Sequence, residues 1–160
     1  MLSLSEISDR LEIQQLMTTY SNAIDRRDFE RLDVVFTPDA YIDYRAMGGI
    51  DGSYPLVKEW LGPALKWFPR YYHLVANIEI ILSGDTATSR TVCFNPMEVP
   101  LPEGGTQVMF LGLWYVDKLV RTPDGWRISE RVEEACYQHN VPPHVRAAAE
   151  PPDSRSQGVE

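Results

Sequence analysis

Between Ser5 and Ile24 the apolar residues Ile7, Leu11, Leu16, Met17, Tyr20 and Ile24 recur at intervals that gather them on one side of a helix. After "DRRD", Phe29, Leu32, Val35 and Phe36 again stand three or four apart, which predicts a second, short helix stopped by Pro38. "AYIDYRAM" reads as a strand. The stretch "GGIDG" turns the chain, Ser53 is placed to cap a helix, and Leu56, Val57, Trp60 and Leu61 supply its apolar side. Gly62 and Pro63 interrupt or kink that third helix.

The second half changes period. "YYHLVANIEIIL", "TATSRTVCFNPM", "TQVMFLGLWYVDKLV" and "GWRISERVEEACYQH" read as four long strands separated by "SGD", "EVPLPEGG" and "TPDG". Those connections are too short for crossover helices, so the strands are antiparallel neighbours. Helices followed by a meander give an α+β fold, one curved, mainly antiparallel sheet with the N-terminal helices packed on one face. A sheet curled around helices leaves a concave space suited to a small hydrophobic ligand. Residues 1–140 form this domain. Residues 141–160, with four prolines and no apolar period, are expected to be a disordered tail or to lie along a neighbouring subunit.

Composition narrows the function classes. A chain of 160 residues with 44% hydrophobic and 24% charged residues is an ordinary single soluble domain. "MLSLSEISDR" lacks a basic stretch followed by an apolar one, and no apolar run approaches the roughly 20 residues that span a bilayer. A cytoplasmic protein with no membrane partner is expected. The net charge of −8, from 23 acidic and 15 basic residues, argues against nucleic acid, whose binding rests on clustered Lys and Arg. Cys93 and Cys136 lie in strand-like segments without metal-ligand spacing and read as buried, reduced thiols.

Candidate chemistry starts at "RYYHLVANIEIIL". Simple alternation puts His73, Val75, Asn77, Glu79 and Ile81 on one face, and Tyr72, Leu74, Ala76, Ile78, Ile80 and Leu82 on an apolar other face. Because Val75 and Ile81 also need cover, both faces are buried, one of them by another subunit, and His73 is enclosed. An enclosed histidine is a useful base when a carboxylate orients its ring. Asp25, where the first helix ends, is the candidate partner, although local sequence taken alone favours its capping the helix that contains Phe29 or lying in a solvated turn. Tyr44 shares a strand face with apolar neighbours and is assigned to the pocket. Trp60, Trp67, Phe68, Met97, Phe110 and Trp114 are core residues or pocket wall. No Gly-rich phosphate loop, nucleophile elbow or metal-ligand cluster is present, so neither metal nor cofactor is implied.

"MTTYSNAIDRRDFERLDVVFTPDA", "YYHLVAN", "CFNPM" and "LVRTPDGWRISERV" together resemble the SnoaL-like branch of the NTF2-like superfamily over about residues 5–140. Within it the spacing is similar to that of hexachlorocyclohexane dehydrochlorinase and bile-acid 7α-dehydratase, and more distantly scytalone dehydratase. The resemblance implies a cone-shaped barrel and a catalytic Asp25–His73 pair, with Arg131 on the last strand completing the site. It also implies Tyr20 as a hydrogen-bond donor to an enolate oxygen or a leaving hydroxyl, which leans towards loss of water. Where the bile-acid enzyme uses a second aspartate, this chain has Asn95, which can bind a carbonyl or hydroxyl but cannot shuttle a proton. Tyr44, Asn95, Trp60, Trp114 and Phe110 are the expected substrate contacts. The implied activity is a cofactor-independent lyase acting on a hydrophobic cyclic or polycyclic hydroxy or carbonyl compound. An isomerase, a polyketide cyclase or a binding module are the alternatives. A homo-oligomer is implied, a trimer before a dimer.

Overall fold

The computed structural model describes residues 1–145. Helix α1 runs from Leu4 to Asp25 and opens on a capping box, in which Ser3 Oγ accepts the Glu6 N–H and the Glu6 carboxylate accepts the Ser3 N–H at 2.7 Å. Its buried side carries Asp9, Ile13, Leu16, Met17, Tyr20 and Ile24, whereas Ile7 and Leu11 are exposed. The inward position of the second turn is taken by a carboxylate. Asp9 accepts two hydrogen bonds of 2.8 Å from Arg121 and one of 3.1 Å from the Trp126 indole, and Glu12 accepts the Trp126 backbone N–H at 2.8 Å. These bonds fasten α1 to the last hairpin of the sheet.

A 3₁₀ turn, Phe29–Val34, leads into β1 (Phe36–Asp43), then β2 (Asp51–Ser53) and α2 (Tyr54–Lys66), which retains Pro63 within it. Pro38 does not end a helix. It stands inside β1, within the register irregularity between Phe36 and Tyr41, where a missing N–H is tolerated. "AYIDYRAM" is a strand only as far as Asp43, and Arg45–Met47 form a 3₁₀ turn. The long strands β3 (Leu74–Ser83), β4 (Thr86–Pro100), β5 (Thr106–Thr122) and β6 (Gly125–His139) make the expected antiparallel meander. β1 joins it parallel to β6, giving a mixed sheet in the order β2-β1-β6-β5-β4-β3. The sheet is open, with β2 and β3 as its edges.

Alternation along β4 and β5 is strict, so each side chain's direction follows from its parity. Thr91, Cys93, Asn95, Met97 and, on β5, Met109, Leu111, Leu113 and Tyr115 point towards the helices and are buried. Phe110 and Trp114, expected at the pocket, have the opposite parity: they lie on the outer face and do not line the cavity, Phe110 stacking with Phe94 and Trp114 under Arg90. β3 departs from simple alternation. Asn77 takes a left-handed conformation (φ 49°) at a bulge between Ala76 and Glu79, a backbone that asparagine tolerates better than most residues. One extra residue moves the inward set from His73 and Val75 before the bulge to Ile78, Ile80 and Leu82 after it. His73 therefore faces the helices together with the apolar residues that alternation had assigned to the other side.

Cys93 is buried, and burial pushes its thiol up to about 12. Cys136 is exposed, because a bulge in β6 opposite Gly112 and Leu113 leaves it outside the regular pairing. After β6, Val141 and Val145 pack against the core, so the first residues of the expected tail belong to the folded body, and residues 146–160 lie outside the described residues. No helix among the described residues is long and apolar enough to cross a membrane.

The Asp9 latch has a pH signature. Its hydrogen bonds from Arg121 and then Trp126 hold the Asp9 carboxyl below the usual carboxylate range. A depressed carboxyl contributes its full stabilisation above the unfolded value of about 4, and loses it as pH falls through the folded value. Asp9→Asn is expected to lower the urea midpoint at pH 7, and the two proteins' midpoints are expected to converge on acidification.

Candidate active site

The site is organised where α1 ends. Arg27, in a left-handed conformation (φ 58°), turns the chain back, and its guanidinium donates to the carbonyls of Leu65 (3.3 Å) and Phe68 (2.7 Å). The Tyr71 hydroxyl donates to the Ile24 carbonyl at 3.0 Å. These bonds hold the connector between α2 and β3 against the last turn of α1, which brings His73 to Asp25.

The contact is more than a side-chain pair. The His73 backbone N–H lies 3.1 and 3.0 Å from the two Asp25 oxygens, and the ring Nδ1 lies 2.7 Å from Oδ1. A carboxylate only accepts, so Nδ1 carries a proton and the lone pair of the neutral ring is on Nε2. Nε2 has no hydrogen-bond partner among the described residues, and His73 lines a cavity of about 660 Å³. Asp25 ends a helix, where the dipole disfavours negative charge, and the donors from His73 compensate locally. Asp25 thus fixes the tautomer and the direction of the His73 ring from behind.

The cavity lies between α1, α2 and the inner face of the sheet, a size suited to a drug-sized or polycyclic molecule. Trp60, Leu65, Met97, Met109 and Leu111 form much of its apolar wall. Tyr20 and Tyr44 stand in it with their hydroxyls 2.8 Å apart, and the Tyr20 ring meets His73 edge-to-face. Burial above all pushes both phenols up, Tyr44 well above its ordinary value, so they stay protonated and act as hydrogen-bond donors. Asn95 lies in the middle of β4. Its Nδ2 donates to the Tyr72 carbonyl at 2.8 Å, which braces the residue next to His73.

Arg131 is placed differently from the expectation. It is fully buried and does not line the cavity, being covered by Tyr20 and Tyr115, whose ring centres lie 4.1 and 4.2 Å from its guanidinium carbon. Nε and Nη2 donate to the two oxygens of Asp117 at 2.7 and 2.8 Å. The pair forms a charged floor under Tyr20, and the Arg131 field works against the burial that raises the Tyr20 phenol. Arg131 thus lies beneath Tyr20 and away from the cavity, while His73, Tyr20, Tyr44, Asn95 and Trp60 line the cavity and Asp25 stands behind His73.

Sequence reasoning missed three inward residues. Asp117 pairs with Arg131 across β5 and β6, a register that single-strand patterns do not reveal. Tyr115 covers that ion pair. Glu133 lines the cavity two positions after Arg131 and so has the same parity, a signal that was available in "ISERVEE".

The SnoaL-like domain profile matches residues 5–132. The chain belongs to the SnoaL-like domain family. The uncharacterized protein Rv2910c of Mycobacterium tuberculosis is 61% identical over 138 residues, covering 86% of this chain and 92% of its own. Among solved structures, Kfla4162 of Kribbella flavida matches with a TM-score of 0.76 at 23% identity, over 89% of this chain and 97% of that one. A LinA-type3 hexachlorocyclohexane dehydrochlorinase from Novosphingobium barchaimii LL02 matches with a TM-score of 0.72 at 20% identity, over 88% and 99%. At those identities the two structures share the fold with this SnoaL-like protein.

The buried ion pair gives a stability test. Asp117→Ala leaves the Arg131 charge uncompensated in the interior and is expected to cost about 3–5 kcal/mol in urea unfolding. Replacing both members together, as Asp117→Leu with Arg131→Met, is expected to restore most of that loss.

Proposed function

We propose that this SnoaL-like protein is a cofactor-independent lyase of the dehydratase type, acting on a hydrophobic cyclic or polycyclic hydroxy or carbonyl compound. The observation that carries the reading is the 2.7 Å contact of His73 Nδ1 with Asp25, which leaves Nε2 to the apolar cavity. His73 removes a proton from carbon. Asp25 holds the ring and stabilises the imidazolium as it forms. The Tyr20–Tyr44 pair donates to the oxygen on which negative charge develops. Arg131 supports Tyr20 from below, and Asn95 holds the backbone beside His73. The shared fold of a dehydrochlorinase, a protein named for an elimination, supports a lyase before other classes.

His73→Ala and Asp25→Asn are expected to remain folded and to lower kcat/KM by about 10²–10⁴-fold, the worth of a positioned general base. The assay follows hydroxylated steroids, terpenoids and polyketide-derived ring ketones by mass spectrometry, reading the loss of water. Full activity in either variant would remove the pair from the mechanism. A second reading is favoured by the two paired phenols, which suit an enolate oxygen: an isomerase would shift a double bond and leave the substrate mass unchanged.

Self-association is part of the same proposal. The outer face of the sheet presents Leu74, Phe94, Phe110 and Tyr137 in adjoining rows, with Leu74 and Tyr137 about half exposed. Light scattering is expected to give a mass near three times that of the 18.3 kDa chain, and Leu74→Glu with Tyr137→Glu is expected to give the monomer.

A further inference from the structure

One acidic side chain in the cavity has no part in the steps above. Glu133 projects inward from β6 beside its register partner Tyr115 and lines the same cavity as His73. Its Oε2 is sealed from solvent and has no hydrogen-bond partner among the described residues. A bare carboxylate oxygen held in that way is far more costly than the oxygen of a neutral acid.

The charges around Glu133 relieve this only in part. Arg131 faces it from the same strand, but both oxygens of Asp117 already hold that guanidinium, so the cation is balanced. Asp43, at the end of β1, adds negative charge from the other side and is itself paired with Arg45 at 2.6 Å. Tyr20 of α1, Tyr44 after β1, Tyr115 of β5 and Cys93 of β4 also surround it, and burial keeps each of them neutral. Burial pushes the Glu133 carboxyl up to about 8, against a partial opposing pull from Arg131. At neutral pH the cavity therefore contains a carboxylic acid with a transferable proton, beside phenols that hold theirs far more tightly. A donor works best when its proton is released near the working pH.

We propose that Glu133 is the proton donor of this site, and that the substrate is a cyclic β-hydroxy carbonyl compound whose leaving hydroxyl it protonates. The inference rests on the elimination reading given under the proposed function. His73 Nε2 takes the proton from the carbon next to the carbonyl, and that electron pair enters the enolate, whose oxygen Tyr20 and Tyr44 bind. The enolate then re-forms the carbonyl and makes the carbon–carbon double bond as the β carbon–oxygen bond breaks. The departing oxygen takes its electron pair and the Glu133 proton and leaves as water. The products are an α,β-unsaturated carbonyl compound, an imidazolium and a carboxylate. Proton exchange through water returns the imidazolium proton to Glu133, so no other reactant is consumed.

The test combines an infrared titration of the free protein with turnover of cyclic β-hydroxy ketones, from one ring to steroid size. The wild type is expected to show a protonated-carboxyl carbonyl band that disappears with a midpoint near pH 8 and is absent from Glu133→Gln. Glu133→Gln is expected to lose about 10²–10⁴-fold in kcat/KM and to lose the fall in rate above pH 8, because an amide neither ionises nor gives up a proton. Glu133→Asp, a shorter acid, is expected to recover part of the rate and the alkaline limb. Three results would overturn the assignment: a Glu133 already ionised at pH 7, a Glu133→Gln variant with wild-type rate and profile, or one whose alkaline limb persists. Failure of the elimination reading itself looks different, since the wild type would turn over none of the ketones while the carboxyl band still titrates. That result would leave Glu133 no leaving group to protonate and would withdraw its role as donor.

Discussion

Everything about the site depends on Asp25 holding both the backbone and the ring of His73. A single side-chain hydrogen bond would fix a tautomer but leave the residue free to shift along the strand entrance. The additional backbone N–H contacts make the carboxylate a clamp, so the direction of Nε2 is set by the end of a helix and not by the rotamer of one imidazole. The clamp in turn requires the connector before β3 to lie against α1, which is the work of Arg27 and Tyr71. In the proposed mechanism a base held this firmly needs no rearrangement at the moment of proton transfer, which is where preorganisation contributes to rate.

The polar groups of the interior divide by how they are satisfied. Arg131 and Asp117 neutralise each other under aromatic rings and shape the floor. Tyr20 and Tyr44 satisfy each other and face the cavity. Glu133 lines the cavity with one oxygen sealed and without a partner among the described residues. Phenols, an imidazole, an amide and a sealed carboxyl set among apolar side chains suit a hydrophobic ligand with a few oxygen atoms.

Much of this was legible in the sequence. The meander of four strands, the α1 stripe through Tyr20 and Ile24, the inward parity of Asn95, and the Asp25–His73 pairing all follow from period, turns and family spacing. The misreadings have local causes. Phe110 and Trp114 were drawn to the pocket by their aromatic character, although their parity sends them outward. The faces of β3 were mixed because an asparagine bulge inserts one residue, and nothing in "VANIEI" marks Asn77 as left-handed. Arg131 carries the inward parity of its strand, but its burial depends on Asp117 and two tyrosines that meet it only through cross-strand register. The parallel pairing of β1 with β6 is likewise a long-range fact.

The most direct measurement of the central claim is the nitrogen NMR spectrum of the His73 ring in the free protein, followed through its titration. A ring clamped by Asp25 is expected to be protonated at Nδ1 and bare at Nε2 when neutral, with that preference weakened in Asp25→Asn. A neutral ring protonated at Nε2, or one whose tautomers are indifferent to Asp25, would contradict it.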